Sequence, residues 1–333
     1  MKIIVTGGCG FIGSNLIIHL LENKPEWEIY NIDALTYAAD LNNLNEIKGN
    51  LSYNFLELDI NDKVKLKKKI SDINPDGVFH LAAESHVDNS ISNPSKFIDT
   101  NIFGTYNLLE SSREIWGTDF SKRFLHVSTD EVYGDLKTDE NPFTEESRYK
   151  PSSPYSASKA ASDHLVRAWA RTYNMNVVLS NCSNNFGPKQ HKEKLIPTVI
   201  NSCLNNLPIP IYGKGENIRD WLFVEDHCSA LLSIFEKGKS FETYLIGTRN
   251  ELQNIELIKI ICKLMDEILN KSINDSCLNL ISFVKDRAGH DMRYAVDPSK
   301  IESALNWKPN KNFKTGLSET IDWYLDKFNN TSK

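Results

Sequence analysis

One short segment near the start limits the folds open to this chain. Gly7-Gly8-Cys9-Gly10-Phe11-Ile12-Gly13 follows the apolar run Ile3-Ile4-Val5 and opens a helix-length segment over 11–23. Gly8, Gly10 and Gly13 satisfy the Gly-x-Gly-x-x-Gly spacing, and Gly7, Gly10 and Gly13 its Gly-x-x-Gly-x-x-Gly variant. Such glycines allow a tight strand-to-helix turn, close backbone approach to a pyrophosphate and close packing of helix on strand. The helix N-terminus adds free N–H groups and a favourable dipole. An ordinary strand–helix turn also uses glycine, so the loop takes its meaning from the elements on either side.

Those elements continue. Ile3–Val5, Ile29–Ile32, Tyr53–Leu58, Gly77–Leu81, Arg123–Ser128 and Val177–Ser180 have strand composition, and segments near 11–23, 62–71, 93–116 and 154–173 have helical spacing. This alternation predicts an α/β chain, a Rossmann-type doubly wound parallel sheet whose ligands lie beyond the carboxyl ends of the strands. After about residue 183 Pro188, Pro197, Pro208 and Pro210 break the rhythm. Helices are expected near 225–236, 254–269 and 313–328, with strands at Tyr244–Ile246 and Leu280–Phe283. The expected division is a dinucleotide-binding domain over 1–183 carrying the chemistry, and a smaller α/β substrate lobe over 184–330, part of which crosses back to the sheet.

Asp33 closes the second strand, where a carboxylate can accept both ribose hydroxyls of an adenosine. Residues 34–38 hold no Lys or Arg to receive a 2′-phosphate, so NAD is expected over NADP. Asp59 and Ile60 are candidate adenine contacts, with a capped strand end as the alternative. Leu81, Ala82 and Ala83 are small enough in sum to let a cofactor pass, and Thr100 and Asn101 are either contacts to its middle or packing residues.

Composition excludes several classes. A net charge of −6 with no basic domain argues against nucleic-acid binding, and no apolar stretch reaches the roughly 18 residues of a membrane span. The first residues carry no signal-peptide pattern, and six scattered cysteines form no Cys-x-x-Cys pair. A cytoplasmic protein with reduced thiols and no metal site is expected.

The chemistry is concentrated in two segments. Tyr155 and Lys159 are one helical turn apart, and the lysine charge favours a phenolate able to take a proton from an alcohol. Ser128-Thr129-Asp130-Glu131 puts two adjacent acids at the end of an apolar strand facing that phenol. A simple dehydrogenase has no use for the pair. An enzyme that oxidises a sugar alcohol and then removes water needs a general acid and a carbon base, whose pKa values must differ.

The glycine loop with Phe11-Ile12, the Leu81–Ser85 strand end and Tyr155/Lys159 resemble the extended short-chain dehydrogenase/reductase superfamily, and the full run Leu81–Asp88 belongs to the narrower resemblance that follows. Segments 128–135, 151–159, 181–188, 193–197, 218–222 and 286–294 resemble, within it, the nucleotide-sugar 4,6-dehydratases of the dTDP-glucose type. The resemblance spans nearly the whole chain. It implies that Tyr155 takes the 4-OH proton while hydride passes from C4 to NAD. Glu131 then removes the C5 proton, Asp130 protonates the departing 6-hydroxyl, Thr129 positions the 4-oxygen, and hydride returns to C6. The 4-keto-6-deoxy product would serve deoxysugar biosynthesis, rhamnose being one example. For the nucleotide sugar it implies Arg219 and Arg287 at the diphosphate, with Ser85, Asn184, Lys194, Leu195, Asn254, His290 and Tyr294 along the path. His86 is either a sugar contact or a hydrogen-bonded structural histidine. A homodimer through helices 93–116 and 154–173 is implied as well. Cys9, Ala288 and Lys192 depart from the family's usual alanine, proline and proline. A UDP-glucose dehydratase stays open. A UDP-sugar 4-epimerase would leave the acid pair unused, and a non-catalytic NAD-binding module would need none of these residues together.

Overall fold

The computed structural model describes residues 1–331, with side chains to Phe328. In chain order the first half runs β1 (Lys2–Thr6), α1 (Phe11–Asn23), β2 (Glu28–Asp33), β3 (Tyr53–Glu57), α2 (Lys63–Ile73) and β4 (Gly77–His80). It continues α3 (Val87–Ser92), α4 (Pro94–Phe97), a π-helical turn (Ile98–Gly104), α5 (Thr105–Trp116), β5 (Arg123–Thr129), α6 (Pro154–Tyr173) and β6 (Val177–Cys182).

These strands alternate between two cores. Ile3 and Val5 pack with Leu16, Ile17 and Leu20 of α1, whereas Ile4 between them packs with Leu66 and Ile70 of α2 and Leu108 of α5. A strand buried on both faces is apolar at successive positions, as the run Ile3-Ile4-Val5 is. The second half contributes β7 (Asn184–Phe186), α7 (Leu195–Asn205), β8 (Ile209–Tyr212), β9 (Ile218–Phe223), α8 (Val224–Lys237) and β10 (Thr243–Ile246). It ends with β11 (Glu251–Gln253), α9 (Asn254–Ile268), β12 (Ile281–Val284), β13 (Arg293–Tyr294), α10 (Ser299–Leu305) and α11 (Phe313–Thr331).

The main sheet is parallel, in the order β10-β6-β5-β4-β1-β2-β3. The order reverses between β1 and β4, and a crevice opens there beyond the carboxyl ends. The doubly wound arrangement read from the sequence is therefore the observed fold. β10 comes from the second half, and α8 packs near α1 on the same face. A separate core of Ile196, Ile200, Ile211, Phe223, Ile258 and Leu317 joins α7, α9 and α11 to β8 and β9.

The helix expected over 93–116 is broken. Pro94 pushes Asn93 to φ −143°, ψ 74°, ending α3, and the wider π turn then shifts the face presented by α5. Among the described residues no helix is long and apolar enough to cross a membrane. All six cysteines are buried and unpaired.

Candidate active site

At the switch point the glycine loop is forced by its surroundings. Gly7 has φ +72°, and a Cβ there would lie 2.9 Å from the backbone of Ala82. A Cβ on Gly13 would lie 2.2 Å from the carbonyl oxygen of Gly7. Gly10 begins α1 with no side-chain cap, so first-turn N–H groups are left for a ligand. Gly8 faces inward instead, against Asn31 and Ile17. The buried Asp33 carboxylate accepts from Cys9 N and Leu35 N, both at 2.8 Å, which aims it across the crevice; burial raises its pKa against these two bonds. Gly7, Gly10, Phe11, Ile12, Gly13, Asp33, Asp59, Ile60, Leu81, Ala82, Ala83 and Thr100 line one cavity of about 320 Å³. Its shape and donors fit a dinucleotide: a cradle a Cβ would fill, uncapped helix N–H groups and a carboxylate at the far end. Asn101 lies outside it. Its amide bonds Glu84 N (2.9 Å) and Ser158 Oγ (2.8 Å), tying the loop after β4 to α6.

The same cavity reaches Thr129, Asp130, Glu131, Tyr155 and Lys159. β5 ends in a tight turn, Asp130–Tyr133, in which Thr129 Oγ1 accepts from Glu131 N (3.3 Å). Gly134 stops the turn at φ +89°, where a Cβ would lie 2.1 Å from Lys150 O. α6 starts at a Ser153/Ser156 capping box with Pro154 in its first turn, which fixes the orientation of Tyr155 and Lys159. Lys159 Nζ donates to Val127 O at 2.9 Å.

The depression of the Tyr155 phenol expected from the lysine is not what this arrangement gives. Burial lifts the phenol well above its usual range, Glu131 and Cys182 add to the rise, and a hydrogen bond with Thr129 opposes it. The two acids are pushed up unequally. Burial, then the Glu131 carboxyl, hold Asp130 well above the carboxylate range, with Asp220 adding to it and Arg219 opposing. Burial raises the partly exposed Glu131 too, but Arg219, Lys194 and Arg287 all pull it back.

A second cavity of about 370 Å³ adjoins the first and shares Ser85, Glu131, Asn184 and Lys194 with it. Leu195, Arg219, Asn254, Arg287, His290 and Tyr294 line it too. Arg219 is held by the carbonyls of Ile218 (2.7 Å) and Asp291 (2.9 Å), with its guanidinium 4.2 Å from the Tyr294 ring centre. Lys194 Nζ donates to Ser85 O at 3.2 Å. His86 caps α3, accepting from Asn89 N at 3.3 Å, while its other nitrogen lies 3.8 Å from Glu193 inside the cavity. The cap is a structural role for that histidine. Lys192 is exposed and off both cavities.

Sequence reasoning missed Asp88 and Tyr212, which close the mouth of the second cavity. Tyr212 OH donates to Asp88 Oδ2 at 3.3 Å, and the Arg287 guanidinium sits 5.3 Å from the Tyr212 ring centre. It also missed Asn185, which lies on both cavities and holds His227 at 2.8 Å. The Leu81–Asp88 run already contained one signal, since its last residue is an acid.

The model of the GDP-mannose 4,6 dehydratase family matches residues 4–320. The dTDP-glucose 4,6-dehydratase of Salmonella typhimurium is 50% identical over 338 residues, covering 98% of this chain and 93% of that protein. The crystal structure of DesIV, a dTDP-glucose 4,6-dehydratase of Streptomyces venezuelae with NAD and TYD bound, superposes with a TM-score of 0.90 at 39% identity, over 98% of this chain and 97% of that one. A UDP-glucose 4-epimerase of Thermotoga maritima with UDP-glucose superposes with a TM-score of 0.86 at 29% identity, over 98% and 100%. The epimerase shares the architecture at lower identity, while full-length identity of half gathers on the dehydratases. With two acids set at the junction of a dinucleotide cradle and a second, cation-lined cavity, this chain belongs to the GDP-mannose 4,6 dehydratase family, on its dTDP-glucose 4,6-dehydratase branch.

Proposed function

We propose that this protein dehydrates dTDP-glucose to dTDP-4-keto-6-deoxyglucose with NAD as a resident cofactor, as a step in deoxysugar biosynthesis. The observation that carries the reading is the unequal pair of adjacent acids, Glu131 on the wall common to the two cavities and Asp130 beside it on the first. The glycine loop, Asp33, Tyr155 and Lys159 would hold NAD, which when bound would supply hydride acceptance at C4 of the sugar and hydride return at C6. Tyr155 accepts the 4-OH proton once the positive charges of Lys159 and of bound NAD offset the burial that lifts its phenol, and Thr129 orients the 4-oxygen. Oxidation at C4 makes the C5 hydrogen acidic, and Glu131, which three cations pull toward the carboxylate form, removes it. Asp130 keeps its proton and gives it to the 6-hydroxyl as the C6–O bond breaks and water leaves. Glu131 finally returns a proton to C5. Arg219 and Arg287 hold the diphosphate, Arg219 being already oriented by its carbonyl partners.

The test is incubation of NAD-loaded protein with dTDP-glucose and no added reductant. A 4-keto-6-deoxy product is expected, and recovery of unchanged sugar from folded, NAD-loaded protein would reject the reading. Competition with UDP-glucose settles the nucleotide. The two-lobe division at 183/184, a cytoplasmic location and a homodimer belong to the same proposal. The exposed Ile98, Phe103 and Tyr173 on the 93–116 and 154–173 segments support the dimer, and size-exclusion chromatography checks it.

A further inference from the structure

Behind the lysine lies a fully buried acid to which neither the fold nor the chemistry above gives a task. Asp163 follows Lys159 by one turn of α6 and has no exposed surface. Its Oδ2 accepts from Tyr149 OH (2.8 Å) and Asn181 Nδ2 (3.2 Å), and its Oδ1 lies 3.1 Å from His126 Nε2. The same Asn181 amide donates to the carbonyl of Thr129 at 3.0 Å, so the cluster reaches the strand end that carries the acid pair. Arg167 bonds Tyr149 OH at 3.1 Å on the outer side.

Lys159 is 4% exposed, and an ammonium in such surroundings needs a negative neighbour to remain charged. Four elements bring titratable groups around it. On α6 these are Tyr155 and Asp163. β5 presents His126, which burial first, then Lys159, push down to about 4, so it is neutral. From β6 comes Cys182, which burial pushes up to about 12. β4 adds His80, driven neutral by burial and fixed between Thr6 (2.8 Å) and Thr105 (2.9 Å). Asp163 is thus the charged partner in this shell; burial disfavours its carboxylate, but His126, Lys159 and Ser128 outweigh that and hold it below its usual range.

We propose that Asp163 is a positioning residue of the catalytic apparatus, the internal counter-ion that keeps Lys159 protonated while Tyr155 gives up and regains its proton. The inference rests on the dehydratase reading, in which Tyr155 and Lys159 act together. Removing the carboxylate favours proton loss from both, but Asp163 is one turn from Lys159 and two from Tyr155. Asp130, which must keep its proton, shares the alkaline limb of the rate profile with the lysine, and Glu131 shares the acid limb with Tyr155. Only the lysine's ionisation descends by much, so it takes over the alkaline limb and the active window narrows.

The experiment is the pH profile of kcat for dTDP-glucose with wild type, Asp163→Asn and Asp163→Glu, all loaded with NAD. For Asp163→Asn the alkaline limb is expected about one to three pH units lower, with the acid limb moving less. Asp163→Glu, which keeps the charge, restores the wild-type window. Loss of a structural bond alone would lower kcat at every pH without narrowing the window. If Asp163→Asn does not fold, Asp163→Ser, small enough to admit water, is read the same way. A wild-type window in either folded variant overturns the assignment, and so does failure of both to fold, which would make Asp163 a folding hub. An inactive wild type refutes the dehydratase reading instead, so the two failures are distinct.

Discussion

Arg287 Nη1 and Asp88 Oδ1 face each other at 3.6 Å across the mouth of the second cavity, one from the loop before β13 and the other from the first turn of α3. In the proposed reaction, a diphosphate arriving at Arg287 would share it with this carboxylate.

Asp88→Asn is therefore expected to tighten dTDP binding by no more than about fivefold, the scale of a partly exposed ion pair. Calorimetric titration of the NAD-loaded protein reads it. Weaker binding would mean that Asp88 contacts the nucleotide itself.

Removing each acid should stop the reaction at a different place. Glu131→Gln lowers kcat about a hundred- to ten-thousandfold and abolishes exchange of the C5 hydrogen with solvent deuterium, while reduced cofactor still forms. Asp130→Asn loses water elimination but keeps that exchange. Exchange retained in Glu131→Gln would remove Glu131 from the carbon-base role.

The raised pKa of Asp130 has a stability sign. Its folded value lies above the unfolded value near 3.9, so between the two the native state holds the extra proton and stability falls as pH rises. Oδ2 of Asp130 also lacks a hydrogen-bond partner. Asp130→Asn removes the cost of ionising this acid, so it should raise the unfolding midpoint by about 2–4 °C at pH 8, the shift that about 1 kcal/mol produces in a large domain. Scanning calorimetry should show the gain fading toward pH 4.

Gly7→Ala puts a side chain at φ +72° and against Ala82. The left-handed backbone alone costs about 1–2 kcal/mol, and displacement of the loop after β4 should weaken NAD binding by about tenfold. Wild-type affinity by cofactor fluorescence would contradict this account of the loop.

The sheet was legible because its central strands are buried on both faces and are written as apolar runs between helical periods. Every cofactor contact expected from sequence except Asn101 lines the first cavity; most follow the carboxyl end of a strand, a position that order along the chain reveals, while Thr100, Tyr155 and Lys159 reach it from helical segments. The second half was harder. β9 buries Arg219 and Asp220 beside Trp221 and Leu222, so its polar residues disguise a core strand. β8 was hidden by Pro208 and Pro210, which looked like breaks. The Tyr212–Asp88 contact joins residues 124 positions apart and leaves no local trace. Asp163 was invisible for another reason: on a helix, an acid four residues after a lysine has the spacing of a solvated surface pair, and only the packing of β5, β6 and Tyr149 removes it from water.

Ser85, Glu131, Asn184 and Lys194 belong to both cavities, so the cradle and the sugar site have no partition between them. Two occupants meeting at a common wall cannot bind independently. By reciprocity, whatever factor a filled cradle applies to the affinity for the sugar nucleotide, the sugar nucleotide applies to the retention of the dinucleotide. If that factor exceeds one, the dinucleotide is held most firmly while it carries the sugar's hydride, the interval in which its escape would strand a half-finished product.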